Sequence, residues 1–175
     1  MSPEEIYRKI ALHYPQEKME YVPGAKLPVT GVETGEPSII VPVEKIVPIL
    51  EMLHSVELFG FDCLSSLTAV DRLAEGRFEV VYHLFSYRHK HSITVRVHLP
   101  RNEEAIHIPT VEGIWPCANW LEREVFDLFG IRFDGHSDLR RIMLPDDWVG
   151  YPLRKDYKEQ EDYHGISTTR PPLIQ

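Results

Sequence analysis

Charged side chains that could do chemistry are concentrated between Asn119 and Tyr157, where carboxylates and arginines are interspersed with aromatic residues. Glu122 and Glu124 suggest a paired acid and base, but residues two apart on a helix point in different directions. Arg123 and Asp127 are four residues apart, which predicts an ion pair along the same helix. Both glutamates border apolar positions and need partners, which four nearby basic residues could supply: Arg140, Arg141, Arg154 and Lys155. An ion network within the domain and one that crosses to another subunit both remain open, and catalysis is the least favoured interpretation.

Four histidines in or beside one pair of strands raise the possibility of a metal site: His83, His89, His91 and His98. A protein metal site needs three or four ligands that converge on one point and an ordered set of supporting residues. Arg88 and Lys90 flank His89 in the sequence, and neighbouring cations raise the cost of binding a metal ion. Surface or cross-strand histidines are therefore favoured over a metal site.

The other candidates do not add up to a recognisable active site. The segment containing Asp134, His136 and Asp138 is interpreted as a turn in which the aspartates accept hydrogen bonds from nearby main-chain amides. Cys63 and Cys117 lie outside any CxxC pair and are predicted to be buried, reduced thiols that cannot hold an iron–sulfur cluster or zinc unaided. The phosphate-binding patterns GxGxxG and GxxxxGK, the GxSxG elbow and the HExxH motif are all absent from the sequence.

Length and charge narrow the class of protein further. The chain has 175 residues, of which 43% are hydrophobic, which predicts one domain with a substantial core. Its net charge of −8 argues against nucleic acid as the main partner and against docking on anionic lipid. The sequence has no apolar run long enough to span a bilayer, and its acidic N-terminus is unlike a signal peptide. A soluble protein of the cytosol, or of an equivalent compartment such as a plastid stroma, is expected.

Periodicity and punctuation predict three helices and several antiparallel strands. Ser2 and Glu5 form a capping box for a helix that ends at Pro15, with Ile6, Ile10, Leu12 and Tyr14 as its apolar side. A second helix is predicted over Val43 to Glu57, and a third from an Asn119–Glu122 capping box to Gly130, with Phe129 on its apolar face. Strands are predicted near 38–41, 61–70, 78–85 and 93–99, the last two as a hairpin. The predicted fold class is α+β, a two-layer sandwich of helices on a mainly antiparallel sheet, followed by an extended C-terminal arm.

The arm is the second part of the predicted organisation, with an α+β domain over residues 1–144 and the arm over 145–175. Prolines and glycines, from Pro145 to Pro172, keep the arm extended. Disordered ends are usually poor in aromatic residues, whereas this segment contains Trp148, Tyr151, Tyr157 and Tyr163. The composition therefore favours an arm that becomes ordered on a partner.

The same stretch resembles a known family. Glu122-Arg123-Glu124, Asp127-Leu128-Phe129, His136, Arg140 and Ile142-Met143 match the signature of the 30 kDa subunit family of respiratory complex I. Members of this family are designated by the letter C in bacterial NADH:quinone oxidoreductase and by the letter J in the cyanobacterial and plastid enzyme. The resemblance extends from about residue 38 to residue 157, including FDCLSSLTAVDR, and is densest between residues 114 and 157.

The resemblance implies a peripheral-arm subunit without a catalytic residue, flavin or iron–sulfur cluster of its own. The flavin and the clusters would belong to partner subunits. The chain would support the 49 kDa-type subunit of the quinone site and contact neighbouring iron–sulfur subunits, and its association with the membrane would be indirect. It would lie on the cytoplasmic side of the inner membrane, or on the stromal side of a thylakoid. The residues assigned to the family signature and the partner interface are Glu122, Arg123, Glu124, Asp127, Phe129, Gly130, His136, Arg140, Arg141, Trp148, Pro152, Arg154, Lys155, Asp156 and Tyr157.

Three alternatives remain beside a subunit of a proton-pumping NADH:quinone oxidoreductase. The first is the equivalent subunit of a related complex that is fed by ferredoxin or a deazaflavin, or that belongs to a membrane-bound hydrogenase. The second is a stand-alone metal-dependent hydrolase that uses the histidine-rich hairpin. The third is a soluble adaptor outside bioenergetics, which the length of the matching motif disfavours.

Overall fold

The computed structural model of the protein describes residues 1–26, 33–101 and 106–168. The predicted loop residues Pro28 and Gly31, and the end of the predicted arm from residue 169, lie outside the described residues. The helices are α1 (Pro3–His13), α2 (Ile46–Ser55) and α3 (Ala118–Phe129), with 3₁₀ turns at Val43–Lys45 and Leu73–Glu75. The strands are β1 (Glu20–Val22), β2 (Ala25–Lys26), β3 (Glu33–Thr34), β4 (Ser38–Val41), β5 (Cys63–Arg72), β6 (Arg77–Ser86), β7 (His91–Pro100), β8 (His107–Pro109), β9 (Arg132–Asp134), β10 (Asp162–Tyr163) and β11 (Ile166–Ser167).

Helix α1 begins at the predicted capping box. The main-chain N–H of Glu5 donates to Ser2 Oγ at 3.3 Å, and the Glu5 carboxylate accepts from the N–H of Ser2 at 2.8 Å. Ile6 and Ile10 are fully buried, and Tyr14 packs against the core as predicted. The assignment of Leu12 to the apolar side was wrong, because its side chain is 80% exposed.

Five strands form the central sheet in the order β1-β4-β7-β6-β5. The predicted hairpin is the long β6–β7 pair, which is antiparallel with Ser86 opposite His91. Strand β4 pairs parallel with β7, and the other three pairings in this sheet are antiparallel. The outer strand β5 has an irregular register between Leu64 and Ser66. The sheet is thus mainly antiparallel, as predicted.

One face of the sheet carries the hydrophobic core. Tyr82, opposite Val95 and Leu67 on the flanking strands, lies on this face and is fully buried. The same cluster of buried side chains includes residues of all three helices, among them Leu53 and Val125. Helices on one layer and a mainly antiparallel sheet on the other confirm the predicted α+β two-layer sandwich.

The opposite face of the sheet is polar. Val81 faces this side and, although buried, lies outside the core cluster. The neighbouring Glu79 carboxylate is shielded by side chains, with Arg77 at 3.2 Å, Arg72 at 3.4 Å and His98 at 3.5 Å. Such a pattern is typical of an antiparallel sheet with one buried and one solvated face.

Two helix starts differ from the sequence prediction. The apolar run from Val43 begins as a 3₁₀ turn, and α2 proper starts at Ile46 and ends at Ser55. The Asn119–Glu122 capping box was wrong, because α3 begins one residue earlier and the N-cap residue Cys117 makes no side-chain capping bond. Asn119 Nδ2 instead donates to Glu112 at 2.8 Å, so tertiary contacts replace the local motif.

The first part of the predicted arm is fastened to the domain. The N–H of Leu153 donates to the carbonyl of Leu128 at 3.1 Å, and the N–H of Lys155 donates to the Asp71 carboxylate at 2.8 Å. Asp156 pairs with Arg101, which also pairs with Asp71 at 3.0 Å. The division of the chain at residues 144 and 145 stays a prediction, and these contacts provide a way to test it.

Two truncations should separate the fastened part of the arm from the rest. Removing residues 145–175 should lower the free energy of unfolding by several kcal/mol, since the fully buried Asp71 side chain loses the Lys155 amide and Arg101 loses Asp156. Removing only residues 158–175 keeps these contacts and should change the free energy of unfolding little. Urea denaturation of both chains measures the difference, and equal losses would contradict this account.

Candidate functional site: the Asp127 clasp and its surroundings

The side chain of Asp127 holds the segment after β9 against α3. Its carboxylate accepts hydrogen bonds from the consecutive amides of Ile142, Met143 and Leu144 at 3.0, 2.7 and 2.9 Å. Nη1 of Arg141 donates to the other carboxylate oxygen at 2.9 Å. We call this group, the Asp127 carboxylate with Arg141 and the three amides, the Asp127 clasp. Burial by itself would raise the pKa of Asp127, but the three amides and Arg141 outweigh it and hold the pKa below its usual value.

Arg123 fastens the same segment one turn earlier. Its Nε donates to the carbonyl of Arg140 at 3.2 Å, and its guanidinium lies 4.9 Å from the centre of the Trp120 ring. The predicted Arg123–Asp127 ion pair does not form, since Asp127 pairs with Arg141 and the nearest carboxylate to Arg123 is Asp138 at 3.9 Å. Both side chains are buried because the segment covers them, which a helix considered in isolation does not predict.

Glu122 is fully buried and has no cationic partner. Its carboxylate accepts from the Thr110 hydroxyl at 2.6 Å and from the N–H of Val111 at 2.8 Å. Burial raises the pKa of Glu122 to about 7, although these two hydrogen bonds act in the opposite direction. The expectation that arginines or Lys155 would fold back onto the glutamates was therefore wrong for Glu122. The side chain supports the signature from inside and is inaccessible to a partner in this conformation.

Glu124 has the opposite environment. Its side chain is exposed, and within the described residues it makes no hydrogen bond or ion pair. The two glutamates of the signature therefore lie in unrelated surroundings, as the spacing of two residues predicts. They do not form an acid–base pair around one substrate position.

The end of α3 provides a site for the arm. Phe129 is buried, and Gly130 adopts a left-handed conformation with φ of 73° at the predicted C-terminal position. A Cβ atom at Gly130 would lie within 2.6 Å of Tyr151 and Arg154. Arg154 Nε donates to the carbonyl of Phe129 at 2.6 Å. Glycine is thus required both by the backbone conformation and by the close approach of the arm.

Aromatic rings and guanidinium groups stack where the arm meets the sheet. The Arg154 guanidinium lies 4.6 Å from the Tyr151 ring centre and 5.4 Å from that of Phe78. Arg141 of the Asp127 clasp lies 5.4 Å from the same Tyr151 ring. Pro152 follows in this turn. Tyr151 was not among the predicted site residues, although aromatic residues among arginines indicate such stacking.

Asp71 and Arg101 were also missed by the sequence analysis. Asp71 accepts two hydrogen bonds from Arg101 at 3.0 Å and one from the amide of Lys155. Burial alone would raise the pKa of Asp71, but these hydrogen bonds hold it below the usual value. Asp71 lies within the upstream segment FDCLSSLTAVDR that resembles the family, which is the signal that pointed to it.

His136 is held by its backbone surroundings. Its Nε2 lies 3.0 Å from the carbonyl of Asn119, and its Nδ1 accepts from the N–H of Asp138 at 2.9 Å. These partners require the neutral tautomer with hydrogen on Nε2. The segment is a turn, as predicted, but Asp134 and Asp138 bond the side chains of His107 and Arg140 and not main-chain amides.

Trp148 and Tyr157 lie further along the arm. The Trp148 ring packs against Tyr163 with 5.2 Å between ring centres. Asp147 accepts from the Tyr163 hydroxyl at 3.0 Å and pairs with His164 at 2.7 Å, which closes this part of the arm on itself. The edge of the Tyr157 ring lies close to Gly150.

The histidine-rich hairpin uses its rings in main-chain contacts. His89 Nε2 lies 2.8 Å from the carbonyl of Glu57, and His91 Nε2 lies 2.8 Å from the carbonyl of Phe59. Across residues 1–26, 33–101 and 106–168, no group of three or more His, Cys, Asp or Glu side chains is arranged to hold a metal ion. The predicted burial of both cysteines was wrong, since Cys63 is half-buried and Cys117 is exposed, each as a free thiol.

The fold and the clasp define a class of protein: an α+β domain whose charged motif fastens its own irregular C-terminal segment. Comparison with known proteins identifies the family. The sequence profile described as "Respiratory-chain NADH dehydrogenase, 30 Kd subunit" matches residues 39–163, and the chain belongs to this family. This match includes α3, the Asp127 clasp and most of the described arm.

Relatives and solved structures agree with this assignment. The C-type subunit of NADH-quinone oxidoreductase from Moorella thermoacetica is 44% identical over 126 residues, which are 72% of this chain and 82% of the relative. Its counterpart from Chloroherpeton thalassium is 50% identical over 111 residues, 63% of this chain but only 45% of that protein. A chain of the membrane-bound sulfane sulfur reductase, an archaeal respiratory membrane complex, is 30% identical with a TM-score of 0.70, covering 89% of this chain and 85% of its own. The trypsin-resistant fragment of Nqo5 is 32% identical with a TM-score of 0.59, covering 79% of this chain and all of the fragment.

In the part of the chain that the structure describes, no helix has the length and apolar character needed to cross a membrane.

Replacing Asp127 with alanine should release the segment it holds. The variant leaves three buried amides and Arg141 without their acceptor, so the free energy of unfolding should fall by about 3–5 kcal/mol. Hydrogen exchange of the Ile142, Met143 and Leu144 amides should accelerate more than exchange in β6. Asp134→Ala is the matched control, since Asp134 is exposed and pairs only with His107. Unchanged exchange of the three amides in Asp127→Ala would contradict the assigned role.

The two buried-acid environments should give opposite dependences on pH. The pKa of Glu122 is higher in the folded than in the unfolded chain, so its folded form binds the proton more tightly. The free energy of unfolding should therefore fall as the pH rises from about 4.5 to about 7, by up to about 3 kcal/mol. Glu122→Gln should remove this loss and stabilise the chain at pH values above that range.

Glu112 is the control for this measurement. Burial would raise its pKa, but hydrogen bonds from Asn119 and Ser137 hold the pKa below the usual value. Its contribution is therefore present at neutral pH and is lost on acidification, so Glu112→Gln should destabilise the chain at neutral pH. Chemical denaturation between pH 5 and pH 8 measures both variants, and the same sign for the two would contradict the assignment.

Proposed function

We propose that the chain is a non-catalytic, peripheral-arm subunit of a proton-pumping NADH:quinone oxidoreductase of the complex I type. Family membership and the named relatives support the enzyme, since they are respiratory-chain NADH dehydrogenase subunits. The flavin and the iron–sulfur clusters would be bound by the other subunits. This chain would contribute by holding those subunits in position.

The observation that carries the proposal is the use of the charged signature residues. Asp127 and Arg141 bind each other and the main chain, Arg123 binds the carbonyl of Arg140, and Arg154 binds the carbonyl of Phe129. Glu122 binds the loop before α3. Groups that are committed to internal hydrogen bonds are suited to fixing a surface and not to transferring protons or electrons to a substrate.

The surface so fixed would dock the 49 kDa-type subunit, which helps to form the quinone site. The exposed members of the signature, among them Glu124 and Arg140, and the fastened arm are available for that contact. Association with the membrane would be indirect, through the complex, on the cytoplasmic side of the inner membrane or the stromal side of a thylakoid. Electron transfer would depend on this chain through the distances it maintains between its neighbours.

A second candidate is supported by one structural comparison. The similarity to a chain of the sulfane sulfur reductase complex favours the equivalent subunit of a related respiratory complex with another electron donor. The fold and the clasp are compatible with either assembly, because the donor would be bound by other subunits.

Purification from native membranes tests both candidates. A tagged copy of this chain is solubilised in mild detergent, and mass spectrometry identifies the proteins recovered with it. We expect a 49 kDa-type subunit and cluster-bearing subunits, with a flavin-bearing NADH-oxidising subunit for the first candidate and a different donor module for the second. Recovery of the chain alone, under conditions that preserve the rest of the complex, would overturn the proposal.

A further inference from the structure

Three large apolar side chains are exposed on the segment that the Asp127 clasp holds. Met143 is 64% exposed, Val149 is 65% exposed and Leu153 is 48% exposed. We refer to Met143, Val149 and Leu153 as the clasp patch. Clusters of exposed apolar side chains on a soluble domain mark sites of interaction.

The main chain beneath the clasp patch is fixed at a single turn of α3. The N–H of Met143 donates to Asp127, and the N–H of Leu153 donates to the carbonyl of the next residue, Leu128. Val149 is followed by Gly150, whose carbonyl accepts from Arg141 of the clasp at 3.2 Å. Little conformational entropy is lost when a surface held in this way is buried, so its side chains are suited to serve as anchors.

The unpaired charges beside the clasp patch are mainly acidic. Glu124 lies one turn before the anchoring residues of α3, and Asp146 lies between Met143 and Val149 in the chain. Both are exposed, and within the described residues neither has a hydrogen-bond or ion-pair partner. Asp138, Asp147 and Asp156 are all paired. Lys155, the nearest cation without a side-chain partner, has its main chain fastened at Asp71 on the sheet.

We infer that the clasp patch, with Glu124 and Asp146 beside it, docks a basic amphipathic segment of another subunit. This inference rests on the proposed function, because it requires a multi-subunit complex. Apolar side chains of the partner would cover the patch, and flanking lysine or arginine side chains would pair with the two free carboxylates. An anionic lipid surface is disfavoured by the same carboxylates and by the net charge of −8.

The first test removes the apolar anchors. The triple variant Met143→Ser, Val149→Ser, Leu153→Ser should keep the thermal stability of the isolated chain, because the three side chains are largely exposed. Its recovery in the purified complex should fall by about tenfold, as expected when a few anchor residues are lost. The matched control is Leu12→Ser, Leu58→Ser, Tyr87→Ser, which changes exposed apolar residues elsewhere and should assemble as wild type.

The outcomes separate this inference from the proposed function. If wild type enters the complex and the clasp-patch variant enters equally well, the inference is wrong and the proposed function stands. If wild type itself does not enter the complex, the proposed function fails. Loss of assembly in the control triple variant as well would show a general effect of surface polarity and would overturn the assignment to the clasp patch.

A second test addresses the chemistry of the partner. Glu124→Lys with Asp146→Lys should lower recovery in the complex, whereas Glu44→Lys with Glu51→Lys, the same charge change on and before α2, should not. Full assembly of the first pair would overturn the basic character of the partner. Binding of the wild-type chain to vesicles of phosphatidylcholine and phosphatidylglycerol, or its self-association in sedimentation, would overturn the inference if the clasp-patch variant abolished it.

Discussion

The carboxylate of Asp127 is the interaction on which the C-terminal half of the structure depends. After β9 the chain has no long strand or helix, within the residues described, that could satisfy its own main-chain groups. One buried carboxylate accepts three consecutive amides of this irregular segment and a guanidinium as well. Removing the acceptor would leave all of these donors buried without partners, which costs far more than one hydrogen bond contributes.

Two neighbouring contacts extend this arrangement in both directions. Arg123 fixes the residue before the clasp, and the turn at Gly130 lets Tyr151 and Arg154 pack closely against the end of α3. Beyond them, Asp71 receives the arm at the edge strand of the sheet. The arm is therefore ordered from the domain outward, and the surface it offers is set by the core through a continuous series of buried polar contacts.

The sequence was sufficient for elements whose cause is local. Ser2 and Glu5 form a capping box because α1 begins at the surface, where nothing competes with the side chains. The same pattern at Asn119 and Glu122 failed, because Glu122 is drawn into the core by Thr110 and Val111. Gly130 was predicted correctly from the end of the apolar pattern, whereas its second requirement, the close approach of Tyr151, depends on residues far along the chain. The charged signature could be recognised from its residue types, but the side chains' partners could not, since they are main-chain groups with no sequence code.

A charged motif inside a small domain is explained by what its neighbours lack. Replacing a buried ion pair by apolar residues is often neutral or stabilising in regular structure, where main-chain groups are already paired. The segment held by Asp127 has no such pairing, so an apolar residue at this position would leave its amides unsatisfied. The same reasoning applies to Asp71, which binds the amide of Lys155, and to Glu122, which binds the amide of Val111. Each of these carboxylates specifies the path of an irregular segment, and that path determines which side chains reach the surface.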